Sequence, residues 1–113
     1  MRTVPRGRVS LSRTAMIRLL AALGAAAALP AHAGDVFKGR EVYVKQCQIC
    51  HGANGVAMMA GVPDLSRGEG MMRPDPILLS SIKSGVSTMP GYIGILTDHE
   101  ILDVITYMRT LQR

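Results

Sequence analysis

The chain has 113 residues, nearly half of them hydrophobic, with two cysteines and no tryptophan. Its formal charge of +5 comes from the first 33 residues, which hold five arginines and no acid; residues 34–113 set eight basic side chains against eight acidic ones, so the basicity is no signal for nucleic acid or an anionic membrane. The remaining 80 residues make one small domain, a size that buries little surface and usually depends on a staple such as a disulfide, a metal or a bound group.

Arg2, Arg6, Arg8, Arg13 and Arg18 begin the chain, an apolar run over residues 17–29 is broken only by Arg18 and Gly24, and Ala31-His32-Ala33 follows. A positive n-region, a short apolar h-region and a small-x-small site describe a secretory signal peptide, whether translation starts at Met1 or Met16. The run falls short of the ~20 apolar residues a membrane span needs, and position 34 is glycine rather than a lipid-modifiable cysteine. The reading is a signal peptide over residues 1–33, cleavage near Ala33, no stable membrane anchor afterwards, and a mature domain over residues 34–113 in the periplasm.

A first helix is expected over residues 35–47, where Val36, Phe37, Gly39, Val42, Tyr43 and Gln46 include an i, i+3, i+4, i+7 set. Gly39 is costly inside a helix, which points to a close helix crossing there. The helix leads into Cys47-Gln48-Ile49-Cys50-His51, and C-x-x-C-H reads as the attachment site of a c-type haem. Each sulfur would bond one vinyl-derived carbon, and His51 would present its imidazole to the iron. Rival readings have less behind them. A zinc site needs about four ligands, and outside the leader the only other histidine is His99. A thioredoxin-like dithiol needs a βαβ setting, and a disulfide across two residues closes too small a ring to contribute much entropy.

Residues 52–74 carry Gly55, Gly61, Gly68 and Gly70 without any alternation, and are expected to form an irregular loop over the haem edge. Asp75-Pro76 then reads as a helix start with an N-cap acceptor and a proline in the first turn. Ile77, Leu78, Leu79 and Ile82 form its buried side, and Gly85 is its stop. The last helix opens on Thr97-Asp98-His99-Glu100, a capping box, and continues with Ile101, Val104, Ile105, Met108 and Leu111 at helical spacing. His99 is then an exposed first-turn residue. No strand is needed, and the fold class is all-α, three main helices and an irregular loop around one haem.

The sixth position on the iron separates a carrier from a catalyst. Methionine is the ligand that favours ferrous iron and raises the potential, and Met58, Met59, Met71, Met72, Met89 and Met108 are available. Met108 belongs to the core stripe, and Met58 and Met59 follow His51 too closely to round the porphyrin. Met71 and Met72 have the reach. Met89 has the best setting, Ser87-Thr88-Met89-Pro90-Gly91-Tyr92, where proline fixes φ and removes a donor.

Taken together, residues 34–113 resemble a class I cytochrome c along nearly their whole length. Gly34 to Tyr43 resemble the N-terminal helix of that family with its glycine–aromatic pair, and Met89-Pro90 matches its sixth-ligand motif. The resemblance implies that the Pro63 carbonyl accepts a hydrogen bond from the His51 imidazole, and that Tyr107 helps the terminal helices cross at Gly39 and Tyr43. It also implies a monomeric electron carrier rather than an enzyme, with one haem c and its iron cycling between Fe(III) and Fe(II) under His51 and Met89. The partners would be transient redox proteins, an electron donor and an acceptor, without nucleic acid. Family members of the mitochondrial type carry many lysines around the haem edge, whereas residues 34–113 keep only Lys38, Lys45 and Lys83, which weighs against strong electrostatic steering. The stretch Arg67-Gly68-Glu69-Gly70-Met71-Met72-Arg73-Pro74 resembles small cytochromes associated with periplasmic nitrite reduction, which implies a periplasmic reductase as partner. Arg67 and Arg73 are candidates to offset the haem propionates. The alternative is a haem catalyst or gas-binding protein with an open sixth position.

Overall fold

Asp35 sets the start of the first helix, because its carboxylate accepts from the backbone N–H groups of Phe37 and Lys38 at 2.9 and 3.1 Å, two of the donors a helix leaves unpaired at its beginning. The computed structural model describes residues 33–113 together with Gly7, so the expected leader otherwise lies outside the described residues. Helix α1 spans Val36–Gln46, α2 is the single turn Gln48–His51, α3 is Asp75–Ser84 and α4 is Asp98–Arg109. One 3₁₀ turn, Leu65–Arg67, interrupts the loop between α2 and α3. Among the described residues there is no strand, only an isolated bridge between Val86 and Met89. The architecture is all-α, as the periodicity implies, with the three main helices supplemented by two short turns. Residues 33–113 lie within one compact unit, and among the described residues no helix is long and apolar enough to cross a membrane.

Helix α1 packs on α4, and Gly39 is where they meet. A Cβ at Gly39 would collide with the backbone carbonyl of Asp103 and press on Tyr107, so glycine is what lets the two backbones approach. Next to this contact the Tyr43 and Tyr107 rings lie 5.2 Å apart at 60°, a tilted arrangement aromatic pairs favour. The chain ahead of α1 is tied to the same place, for the Asp35 N–H donates to the buried Asp103 carboxylate at 2.7 Å. The core is Tyr43, Leu65, Met71, Leu78, Ile101, Val104, Ile105 and Met108, so the stripe expected on the last helix is the centre of the molecule. The capping box forms too, with the Glu100 carboxylate accepting from the Thr97 N–H at 2.8 Å and the Thr97 hydroxyl accepting from the Glu100 N–H at 3.3 Å.

Three local expectations are corrected, the first being Ile77, expected on the buried side of α3 but 51 % exposed. Helix α3 begins with Asp75 inside it and Pro74 at the cap, with no side-chain cap; the Asp75 carboxylate pairs instead with Arg109 at 2.5 Å. Arg109 also donates to the carbonyls of Met71 and Arg73 at 2.5 and 3.1 Å, so it fastens the loop before α3 to the end of α4. Phe37, counted in the apolar stripe of α1, is 83 % exposed. It stands about 200° round the helix from Gly39 at 3.6 residues per turn, on the face turned away from α4.

Candidate haem site

The turn that carries the motif follows directly from α1. Cys47 closes that helix, its N–H donating to the Tyr43 carbonyl at 2.9 Å, and its own carbonyl then accepts from Cys50 at 3.2 Å and His51 at 3.0 Å. One turn therefore gathers both thiols and the imidazole. Both cysteines are free and half-buried. Burial, and then the neighbouring Cys50, push the Cys47 thiol up to about 11, so at neutral pH it is held as a thiol. Tyr43 secures the end of the turn by donating to the Gly52 carbonyl at 2.6 Å and sharing its proton with the His51 carbonyl at 3.3 Å. Burial is the main reason its hydroxyl is pushed up to about 12.

His51 is half-buried, and desolvation holds its ring below the usual histidine range, opposed in smaller measure by the backbone carbonyl of Pro63, an acceptor on the side of the ring. Nδ1 is buried without a partner of regular hydrogen-bond geometry. The Pro63 loop is held by the Ser66 N–H donating to the Gly55 carbonyl at 3.2 Å and by the Asp64 N–H donating to Glu69 at 2.8 Å.

Met89 lies between α3 and α4, half-buried. Its backbone pairs with Val86 in both directions, at 3.1 and 2.9 Å, closing a four-residue turn in which Ser87 has φ +54°. That conformation costs a non-glycine residue on the order of 1 kcal/mol. Behind it Gly85 and Gly91 let two backbone stretches touch, since a Cβ on Gly85 would strike the backbone of 89–91 and one on Gly91 the backbone of Lys83 and Ser84. Tyr92 ties this segment to the motif, its hydroxyl donating to the Gln46 carbonyl at 2.9 Å. The other methionines are placed differently. Met71 and Met108 are in the core, whereas Met58, Met59 and Met72 are exposed, Met72 by 89 %. Met71 and Met72 therefore point apart. Arg67 is largely exposed and 3.9 Å from Asp64; Arg73 is exposed. Sequence reasoning missed Tyr92 and Arg109. The signal for Tyr92 was an aromatic three residues past Met89; for Arg109, a basic residue in a last helical turn.

A cleft of about 600 Å³ beside α1 and α2 is lined by Val44, Lys45, Gln48, Ile49, Gly52, Ala53 and Met58; it includes neither His51 nor Met89 and is not the axial site. No three His, Cys, Asp or Glu side chains gather to hold a metal ion among the described residues, so the zinc alternative finds no further ligands there.

A family model described as cytochrome c oxidase, cbb3-type, subunit III matches residues 34–108. The chain belongs to the class I c-type cytochromes. The cytochrome is 33 % identical over 79 residues to cytochrome c6 of Thermosynechococcus vestitus, across 67 % of this chain and 70 % of that one. It is 29 % identical over 98 residues to the cytochrome c subunit of the quinone alcohol dehydrogenase of Gluconobacter oxydans, across 76 % of this chain, and spans only 20 % of that subunit's length. Among solved structures it resembles cytochrome c6 of the diatom Phaeodactylum tricornutum, with a TM-score of 0.57 at 27 % identity over 68 % of this chain and 93 % of that one. A c-type cytochrome with a TM-score of 0.60 at 21 % identity, over 66 % of this chain and 98 % of that one, shares the fold.

Membership implies electron transfer through a covalently bound haem c and its iron, and Cys47-Gln48-Ile49-Cys50-His51 is the motif that fits it. The residues suit the group. Two free thiols and an imidazole share one turn, and burial favours the neutral ring that can ligate a metal. Among the described residues the polypeptide buries nine large hydrophobic side chains and leaves twelve exposed, a thin core that a large apolar plate would complete.

Proposed function

We propose that this cytochrome is an exported single-haem electron carrier, its leader removed near Ala33, working in the periplasm as a domain of residues 34–113. Haem c supplies one-electron exchange between Fe(III) and Fe(II). Cys47 and Cys50 would hold the group through thioethers, and His51 and Met89 would ligate its iron. The Pro63 carbonyl orients the His51 ring, as outer partners of a ligating histidine do. With both axial positions filled by side chains on anchored segments, little in the protein rearranges when the charge changes.

One observation carries this reading. The segment bearing Met89 is tied by Tyr92 to the last residue before Cys47, so the two candidate ligand elements form one connected structure, while Met71 and Met108 are committed to the core. Partners would be redox proteins met through a small transient interface, below about 1,200 Å² in total. The likeness of residues 67–74 to cytochromes of nitrite reduction supports a periplasmic nitrite reductase as an acceptor. A second reading has its own support, because the family model and the Gluconobacter relative both carry the names of enzyme subunits; there the domain would stay docked in a larger complex.

Intact mass and native size of the exported protein test both. The carrier reading expects residues 34–113 plus one haem, as a monomer that reduces several purified reductases. Co-purification in a stable complex and transfer to one partner alone would favour the second reading, and a mass without haem would end both.

A further inference from the structure

Thirteen residues separate the end of α3 from the start of α4, and none of them is helical, yet the proposed ligand Met89 sits among them. Its backbone is held in three ways. The turn from Val86 to Met89 is closed on itself, so it shapes the segment without fixing where it lies. The Tyr92 N–H is shared by the carbonyls of Ile82 and Lys83 at 3.2 and 3.0 Å, and the Ile93 N–H donates to Lys83 at 3.2 Å; these seat the segment on the end of α3, whose last carbonyls lack helical partners. The third tie is the Tyr92 hydroxyl. It reaches across 46 positions of sequence to the carbonyl of Gln46 at 2.9 Å, and Gln46 is the last residue of α1, joined directly to Cys47.

Tyr92 is a junction in every sense its groups allow. The residue is 8 % exposed, and its carbonyl accepts from Ile95 and Leu96, both at 3.0 Å. Burial, and then the thiols of Cys47 and Cys50, hold its hydroxyl above the usual tyrosine range. The first two ties are local to residues 82–93. The hydroxyl is the one that connects the Met89 segment to the turn carrying the cysteines and His51.

We infer that Tyr92 is a positioning residue for the sixth ligand: its hydroxyl, bonded to the Gln46 carbonyl, holds the Met89 segment against the haem-bearing turn and keeps the iron closed. This rests on Met89 being that ligand. Lifting the segment costs the Gln46–Tyr92 hydrogen bond in addition to the iron–sulfur contact. A net hydrogen bond of about 1 kcal/mol corresponds to an about fivefold change in the lifted population.

The test is imidazole binding to the ferric holoprotein, followed by the shift of the main haem absorption band, and by loss of the ferric sulfur-to-iron band where Met89 is kept, in four proteins: wild type, Tyr92→Phe, Met89→Ala and Thr97→Ala. Phenylalanine keeps the ring and removes only the hydroxyl. Thr97→Ala weakens the cap of α4, away from the Met89 segment, and serves as a destabilised control. The inference expects Met89→Ala to bind at once, wild type slowly, Tyr92→Phe about fivefold more readily than wild type, and Thr97→Ala like wild type. Tyr92→Phe matching wild type, or Thr97→Ala opening the iron as far as Tyr92→Phe does, would overturn the positioning role while leaving Met89 as ligand. Wild type binding as fast as Met89→Ala would overturn the ligand assignment and the inference with it.

Discussion

Replacing Gly39 by alanine reverses the usual sign of that substitution. Inside an exposed helix the change stabilises by about 1 kcal/mol, because alanine loses less backbone entropy and covers more of the helix. At Gly39 the new methyl would run into the carbonyl of Asp103 and stand 3.0 Å from the Tyr107 Cβ. The obstacle is mostly backbone, so no rotamer change relieves it and α4 has to shift. Overpacking of this kind costs about 1–3 kcal/mol, and a shift of α4 also disturbs the Tyr43–Tyr107 contact and the Asp35–Asp103 hydrogen bond. We expect Gly39→Ala to be less stable than wild type by about 1–2 kcal/mol after the helix gain is subtracted, with each kcal/mol worth ~4–8 °C of midpoint in a domain this small. Guanidinium unfolding of the ferric holoproteins, followed by far-UV circular dichroism and by the haem band at equal haem content, measures it. A variant more stable than wild type would refute the close crossing.

Removing the haem should leave residues 34–113 without a cooperative transition near neutral pH, because the polypeptide's own core is thin; a sharp two-state unfolding of the apoprotein would contradict this. The Glu100 carboxyl is held below its usual range of about 4.5 by the Thr97 backbone N–H and then its hydroxyl. Its folded pKa being the lower one, its contribution is full above the unfolded value and is lost as pH falls through the folded one. Wild type should therefore lose its stability margin over Glu100→Gln as pH drops below about 4.5, and a margin unchanged by acid would contradict the capping box. Arg109→Lys cannot serve the two carbonyls and the Asp75 carboxylate at once. Amide exchange over residues 68–75 should speed up in that variant while the amides of α1 stay protected, and equal acceleration in both would mean a global loss.

The periodic signals were the legible ones. Ile101, Val104, Ile105 and Met108 are buried as their spacing implies, the Thr97–Glu100 box closes, and Gly39 marks the crossing of α1 and α4, since each rests on contacts within one helix or on the absence of a side chain. What stayed hidden depended on partners distant in sequence. Asp75 has the look of a cap, yet Arg109, 34 positions away, takes its carboxylate. Phe37 belongs to an apolar run but falls on the far side of α1, and only the direction of α4 decides which side that is. At the site, the motif itself was readable because its five residues form one turn. The Met89 mount was readable only as a proline-stiffened segment. The bond from Tyr92 to Gln46 that places it is a backbone acceptor 46 positions away, and no residue type announces a carbonyl.

The measurement that bears most directly on the account is the visible spectrum of the exported protein, oxidised and reduced, with carbon monoxide added to the reduced form. Closure of the iron by His51 and Met89 predicts a low-spin spectrum with the weak ferric sulfur-to-iron band, unchanged by carbon monoxide. A high-spin spectrum, or rapid carbon monoxide binding, would contradict it and mark an iron with an open face.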